Sequence, residues 1–455
     1  MNWLLAHFEV VLVTLLTLLV AVTILQQRRT PQSTAAWLLF VIMVPYLAIP
    51  LFLALGFRKQ KGRFKLVSFS QTGRLRPETS GGGVSNLFAT YGIPPASAGN
   101  NVRLLTTAED AYSALVDLCR SAKTSLDVLF YIVAHDEVGV AFVNELTARA
   151  QQGVRVRLLM DRFGNLTPPR AALRALAAAG GEVLYFTPLL QRPGRGHLNL
   201  RNHRKMLIAD GAQVFAGGMN IGADYMGPGA RVGRWADLAY LLEGPASSTF
   251  ADIFGSNWAA ASRVPASDGP AIFQPAKGSA RVQLVPSGPD MTGDPLHDAL
   301  VNAIHKASRR VWIVTPYFLP TEFLGNALAI AAKRGVDVRI LLPLKSNQRL
   351  ADFARGAYLR EMHDAGCKVL FFQPGMIHAK AGMIDELGYA GSANFDVRSM
   401  LLNFETAFFM YDGQSIAALE AWYMAQEKKS APGLPPTGHL RRIFEGVFRL
   451  GSPFL

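Results

Sequence analysis

Two stretches of the chain carry the same reactive side chains at the same spacing. The first, HRKMLIAD, places His203 two residues before Lys205 and seven before Asp210, and the second, HAKAGMID, repeats this with His378, Lys380 and Asp385. Each is followed by a glycine-rich turn ending in asparagine, GGMN at 217–220 and GSAN at 391–394. Two copies of so particular a pattern, 175 positions apart in matching contexts, are not accidental.

Alternate residues of an extended strand face the same way, so each copy offers one imidazole beside one ammonium. If the two copies pack about a pseudo-twofold axis, both pairs converge on one cleft. Such a site suits attack on a phosphodiester. One neutral imidazole is the nucleophile, and the other, protonated, donates to the departing alkoxide. The lysines hold the non-bridging oxygens and stabilise the charge developing at phosphorus. With cationic side chains in that role a metal is unnecessary, and the chain has neither the HExxH and zinc-cluster spacings nor the glycine-rich phosphate loop of nucleotide enzymes, so no metal and no cofactor are expected.

A histidine nucleophile has to keep one tautomer, which requires a partner for its far ring nitrogen. Asp237 in WADLAYLLEGPA and Glu405 in NFETAFFM are lone acids in apolar, strand-like runs, where burial is costly without a partner. They are candidates to orient the histidines; the alternative is partial exposure on an edge strand. Asp210 and Asp385 complete the catalytic pattern but sit where each strand turns into a hairpin, so they are expected to hold that turn rather than touch substrate. Asn220 and Asn394 either donate to phosphate oxygens or stabilise their turns. His197, six residues before His203, is a candidate for the entrance to the site.

The elements that must position these residues repeat as well. ALVDLCRSAKTSLDVLFY from Ala114 corresponds to ALVNAIHKASRRVWIVTPY from Ala299, GVRVRLLM from Gly153 to GVDVRILL from Gly335, and GGEVLYFTP from Gly180 to AGCKVLFFQP from Ala365. Each pair alternates helix-period with strand-period patterning. The expected fold class is α/β: two pseudo-twofold-related α/β/α halves with mixed sheets, residues 101–275 and 276–455, preceded by a Ser-, Gly- and Thr-rich linker over 66–100. At 455 residues the chain is long enough for two or three such units.

Half of the residues are hydrophobic, with the excess in the first 57. Charge-free runs over 10–25 and 35–57, the second interrupted by Pro45 and Pro50, are each near membrane-spanning length, which predicts a transmembrane hairpin over 1–65. Arg58, Lys59, Lys61, Arg63 and Lys65 follow the second run and outnumber Arg28 and Arg29 in the intervening turn. That asymmetry places the catalytic part on the cytoplasmic side of the membrane, although a re-entrant hairpin fits the same pattern. The basic cluster serves as a topology signal and could also attract anionic lipid headgroups. A net charge of +13 favours a polyanionic partner, lipid or nucleic acid. Cys119 and Cys367 have no CxxC spacing and are expected to be inert.

The doubled His-x-Lys-x4-Asp pattern resembles the phospholipase D superfamily. Within it, the hairpin with AWLLFVIMVP, then GGMNIGADY, TPYFLP, PLKSN, GSANFDVRS, LNFE and RLGSPFL, in that order, are similar to bacterial cardiolipin synthases of the two-transmembrane type. The resemblance covers the whole chain. It implies a multi-pass enzyme of the bacterial inner membrane that acts on phosphatidylglycerol and other anionic phospholipids, forming cardiolipin and glycerol through a phosphohistidine. It also implies His203 as nucleophile and His378 as acid and base, or the reverse, with the downstream carboxylates orienting them. A hydrolase or other phosphatidyl transferase shares this chemistry, as does a nuclease, against which the apolar hairpin argues; no nucleic-acid partner is expected. The sequence leaves the oligomeric state open. One departure stands out: Asp385 to Gly391 is one residue shorter than Asp210 to Gly217, which predicts a tighter second hairpin and a displaced Asn394.

Overall fold

The structure, a computed structural model, describes residues 2–27, 31–56, 64–70, 83–186, 200–264 and 274–450. Arg28, Arg29, Arg58, Lys59, Lys61, Arg63 and His197 lie outside the described residues.

Helices form where apolar residues recur at helical spacing behind a capping side chain. Thr107 accepts from the backbone N–H of Asp110 ahead of the helix Ala108–Ser121, whose Ala111, Ala114, Leu115, Leu118 and Cys119 make the buried stripe. Asp136 and Thr321 cap Glu137–Gln151 and Glu322–Lys333 in the same way. Between the helices, Ser125–Phe130, Arg155–Met160 and Glu182–Tyr185 pair in parallel in the first half, and Arg310–Val314, Asp337–Pro343 and Lys368–Phe372 do so in the second.

Each half then extends its sheet antiparallel in the same order. Beyond Ser125–Phe130 come Met206–Ala209, Gln213–Gly217, Ala239–Glu243 and Ser97–Leu105. Beyond Arg310–Val314 come Ala381–Ile384, Leu387–Gly391, Glu405–Met410 and Ala280–Ser287. The last strands of the two series pair with each other, Ser97 opposite Val282 and Asn100 opposite Ala280. The described residues thus share one 15-stranded mixed sheet whose order reads alike from either side of this seam, apart from the edge strand Ser430–Pro432 in the second half. This is the duplicated α/β architecture that the repeats imply.

Three expectations need correction. Residues 66–100 are more than a linker: Val67, Phe69, Val84, Phe88 and Ile93 are buried in the main core, the helix Val84–Thr90 lies in this stretch, and the seam strand begins at Ser97. Their apolar spacing is diluted by Ser and Gly, which hides it in the sequence. The apolar run over 35–57 is broken into Pro31–Met43 and Pro45–Leu55, because Pro45 has no N–H to donate and pushes Val44 out of the helical region, to φ −138 and ψ 60. Both pieces pack on the first helix through Val20, Ile24, Trp37, Val41, Ala48, Ile49 and Phe52. Among the described residues, Trp3–Gln26 is the one helix long and apolar enough to cross a membrane by itself. Finally, the second hairpin is tighter, as its spacing predicts, yet the strands that lead toward Asn220 and Asn394 keep the same register. Met206 faces Ala216 just as Ala381 faces Ala390, so the lost residue is taken entirely from the turn.

The halves are also locked by a charge pair that the motif pattern does not announce. Arg204, fully buried, reaches into the second half and places its guanidinium on Asp290 at 2.6 and 2.9 Å, on Ser287 O at 3.2 Å and on Glu405 O at 3.1 Å. Removing one partner of such a pair strands the other charge. Arg204→Leu is therefore predicted to destabilise the protein by about 3–5 kcal/mol, read as a lowered unfolding midpoint in detergent, and Arg204→Leu with Asp290→Leu to recover most of the loss. A double variant no more stable than the single one would refute this account.

Candidate active site

His203 and His378 lie just ahead of the strands Met206–Ala209 and Ala381–Ile384 rather than within them. Their backbone pairs with the opposite half. His203 N donates to Phe404 O at 2.9 Å and His378 N to Ala236 O at 2.7 Å, within the short parallel bridges Asn202 to Phe404 and Ala236 to Ile377. The residue after each bridging carbonyl is the carboxylate, so the same contact that docks the halves delivers Glu405 to His203 and Asp237 to His378.

The side chains complete the exchange. His378 Nδ1 lies 2.7 Å from Asp237 Oδ2, and His203 Nδ1 lies 3.2 Å from Glu405 Oε1. Each carboxylate thus fixes the tautomer of the other half's histidine and leaves Nε2 for chemistry. Asp237 in turn accepts from Leu238 N–H at 2.7 Å, and Glu405 from Ser392 Oγ at 2.5 Å. Gly218 is required opposite Asp237, because a Cβ there would lie 2.4 Å from Oδ1. Ser392 occupies the matching place beside Glu405, and its hydroxyl is used. Aromatic rings close the walls: Tyr131 packs on His203 with centroids 4.1 Å apart, and Tyr225 and Trp235 flank His378 at 5.2 and 5.3 Å.

Lys205 and Lys380 are buried and fold back onto their own histidines. Lys205 Nζ donates to His203 O at 2.5 Å, and Lys380 Nζ donates to His378 O and lies 2.8 and 3.0 Å from the ring nitrogens. Burial lowers Lys205 to about 8, against the pull of Glu405 and Asp237. Burial lowers Lys380 to about 7, with Lys205 adding to the effect. His378 falls to about 4, first through burial and then through the ammonium of Lys380. Burial opposes ionisation of Asp237, but Lys380 and His378 together hold its carboxyl below the usual range. Burial thus favours a neutral His378 and leaves both lysines poised near neutrality, a balance that an anionic phosphodiester would shift toward protonation.

The remaining motif residues do not all reach this cleft. Asp210 and Asp385 stand at the far ends of their strands, roughly 20 Å along the chain from the histidines. There they accept from the backbone N–H groups of Lys123, Thr124 and Ser125, and of Ser308, Arg309 and Arg310. Both adopt positive φ, 52 and 48, so they are turn residues whose carboxylates tie the hairpin to the start of a neighbouring strand. Asn220 accepts from Ile132 N–H at 3.3 Å, whereas the buried Oδ1 of Asn394 has no hydrogen-bond partner among the described residues. Among those residues no group of three or more His, Cys, Asp or Glu has metal-binding geometry.

The fold is shared with a solved phosphatidylserine synthase from Haemophilus influenzae, at 14% identity and a TM-score of 0.64 over 82% of this chain and all of that one. Residues 115–230 and 300–426 match the family described as cardiolipin synthase, PLD-like domain, and residues 15–56 match a phospholipase D-nuclease N-terminal family. A cardiolipin synthase of Geobacillus thermodenitrificans is 32% identical over 98% of this chain and 93% of its own length, and one of Listeria monocytogenes is 30% identical over 99% and 100%. The chain belongs to the cardiolipin synthase family of phospholipase D-like enzymes.

Two outcomes follow from the geometry. Because both ammonium groups are lost as pH rises, kcat/KM is predicted to fall through pH 7 to 8, and Lys380→Arg, which stays charged, to carry that limb to higher pH; an unmoved limb would assign it elsewhere. Asp237→Asn keeps the shape but not the charge that holds His378, and is predicted to lower kcat on the order of 10²–10⁴-fold with KM little changed. A rise in KM alone would instead make Asp237 a substrate-binding group.

Proposed function

We propose that the enzyme transfers a phosphatidyl group from one phosphatidylglycerol to the free hydroxyl of a second, releasing glycerol and forming cardiolipin. The observation that carries this reading is the reciprocal support of two histidines by carboxylates of opposite halves, with two lysines beside them. Near-full-length similarity to named cardiolipin synthases supports the substrate class.

His203 is the nucleophile, because its side chain is the more open of the two, 20% against 9% exposed. Its Nε2 attacks phosphorus while the bond from phosphorus to the glycerol oxygen breaks, and His378, protonated as the anionic phosphodiester enters, gives that oxygen its proton. The neutral His378 then takes the proton of the acceptor hydroxyl, whose oxygen attacks phosphorus as the bond to His203 breaks. Lys205 and Lys380 neutralise the non-bridging oxygens in both steps. The apolar N-terminal helices keep the catalytic halves, residues 101–275 and 276–455, at the inner membrane, on its cytoplasmic side by the charge bias of the flanking residues.

Purified full-length enzyme given labelled phosphatidylglycerol is expected to yield cardiolipin and glycerol in equal amounts, and His203→Ala and His378→Ala each to lower turnover at least on the order of 10³-fold while the protein stays folded. With phosphorus-labelled lipid, the wild-type enzyme quenched during turnover should carry label on His203, and His203→Ala should carry none. Phosphatidic acid as the sole product would make the enzyme a hydrolase, and label on residue 378 would reverse the two roles.

A further inference from the structure

The helix His439–Leu450, HLRRIFEGVFRL, is strongly amphipathic yet docks the wrong way round for a helix of a water-soluble domain. Part of its charged side faces the protein, while Arg441 and Arg442 stay exposed. Glu445 is 2% exposed and bonded to Arg360 and Arg441, and Arg449 pairs with Glu361. Its apolar side faces out: Leu440, Ile443 and Phe444, which share one face by their spacing, are 74%, 64% and 56% exposed. Phe448 anchors the helix on Phe353, centroids 5.6 Å apart, and Phe353 is itself partly exposed beside it.

Beneath the helix runs a groove of about 360 Å³ lined by Leu344, Lys345, Arg349, Phe353 and Pro435 among others. Its charge is positive. Arg355 is matched by Asp352 at 3.1 Å, but Arg360 and Arg441 share the single carboxylate of Glu445, and Lys345 and Arg349 add two more cations. An apolar face rimmed by arginine and lysine is what an anionic lipid surface complements, with side chains entering the acyl boundary and cations meeting headgroups. The groove starts at Leu344, directly after the strand Asp337–Pro343. That strand runs parallel to Lys368–Phe372, whose following residues lead to His378, so groove and active site open on the same edge of the sheet.

We propose that the outward face of the helix His439–Leu450 lies in the headgroup layer of an anionic bilayer. It is a second membrane contact, separate from the N-terminal helices, and it holds the second half with its catalytic edge toward the lipid. This goes beyond the chemistry proposed above and does not depend on it.

The test reads immersion directly. Cys119 and Cys367 are buried, so nitroxide labels attach selectively to Leu440→Cys, Ile443→Cys, Phe444→Cys and a control, Gln152→Cys, on an exposed helix end. In full-length enzyme reconstituted into phosphatidylglycerol-containing vesicles, lipid-soluble oxygen should relax the three helix labels more than a water-soluble nickel chelate does, and the control should behave oppositely. Three labels as water-accessible as the control, or shielded only by spin contact with a second copy, would overturn the proposal. Phe444→Glu should lower turnover on vesicles by about tenfold and leave turnover on detergent-dispersed lipid unchanged; equal losses in both would also overturn it.

Discussion

The structure is governed by the need to keep two lysines and two histidines next to one another and largely out of water. Burial alone would neutralise them, and a neutral cluster has no grip on a phosphate. Two carboxylates counter this, and each arrives from the half that does not own the histidine it holds. A single half would present an imidazole without its carboxylate and a carboxylate without its imidazole. The duplicated fold is therefore one catalytic unit, and docking of the halves and assembly of the site are the same event.

The rest of the architecture serves that docking. The bridges at Asn202 and Ala236 set the height of each histidine against the opposing carboxylate, and the seam between Ser97–Leu105 and Ala280–Ser287 joins the two sheets. Arg204 does so by charge, occupying the position between His203 and Lys205 that Ala379 fills in the other half. The pseudo-symmetry is thus broken at this one fastening but kept in the two bridges and in the carboxylates that hold the histidines. Asp210 and Asp385, which look catalytic in the motif, contribute by fixing the far ends of the strands that carry the histidines.

Much of this was legible in the residues. Repetition of apolar periods, loops and the His-x-Lys pattern discloses a duplicated α/β fold, and a lone acid in each apolar run marks Asp237 and Glu405 as needing partners. The partners themselves were not legible, because local patterning carries no information about which half a side chain faces. The same limit hid Arg204, an ordinary basic residue in a basic motif, whose partner Asp290 lies 86 positions away. The aromatic walls at Tyr131, Tyr225 and Trp235 are missed for a related reason: strand-flanking aromatics read as core in any α/β sequence. Residues 66–100 misread in the other direction, since sparse apolar positions amid Ser and Gly resemble a tether even when they bury themselves.

The sheet passes from one half to the other through the pairs Ser97 to Val282 and Asn100 to Ala280, with a shift of register between them, and the bridges beside the histidines tie the halves again. Enzymes commonly enclose a reacting group by swinging two lobes together, but here the same contacts that dock the halves, the seam, the two bridges and Arg204, also set the walls of the cleft. A substrate therefore meets a vessel already formed, and selection rests with its mouth.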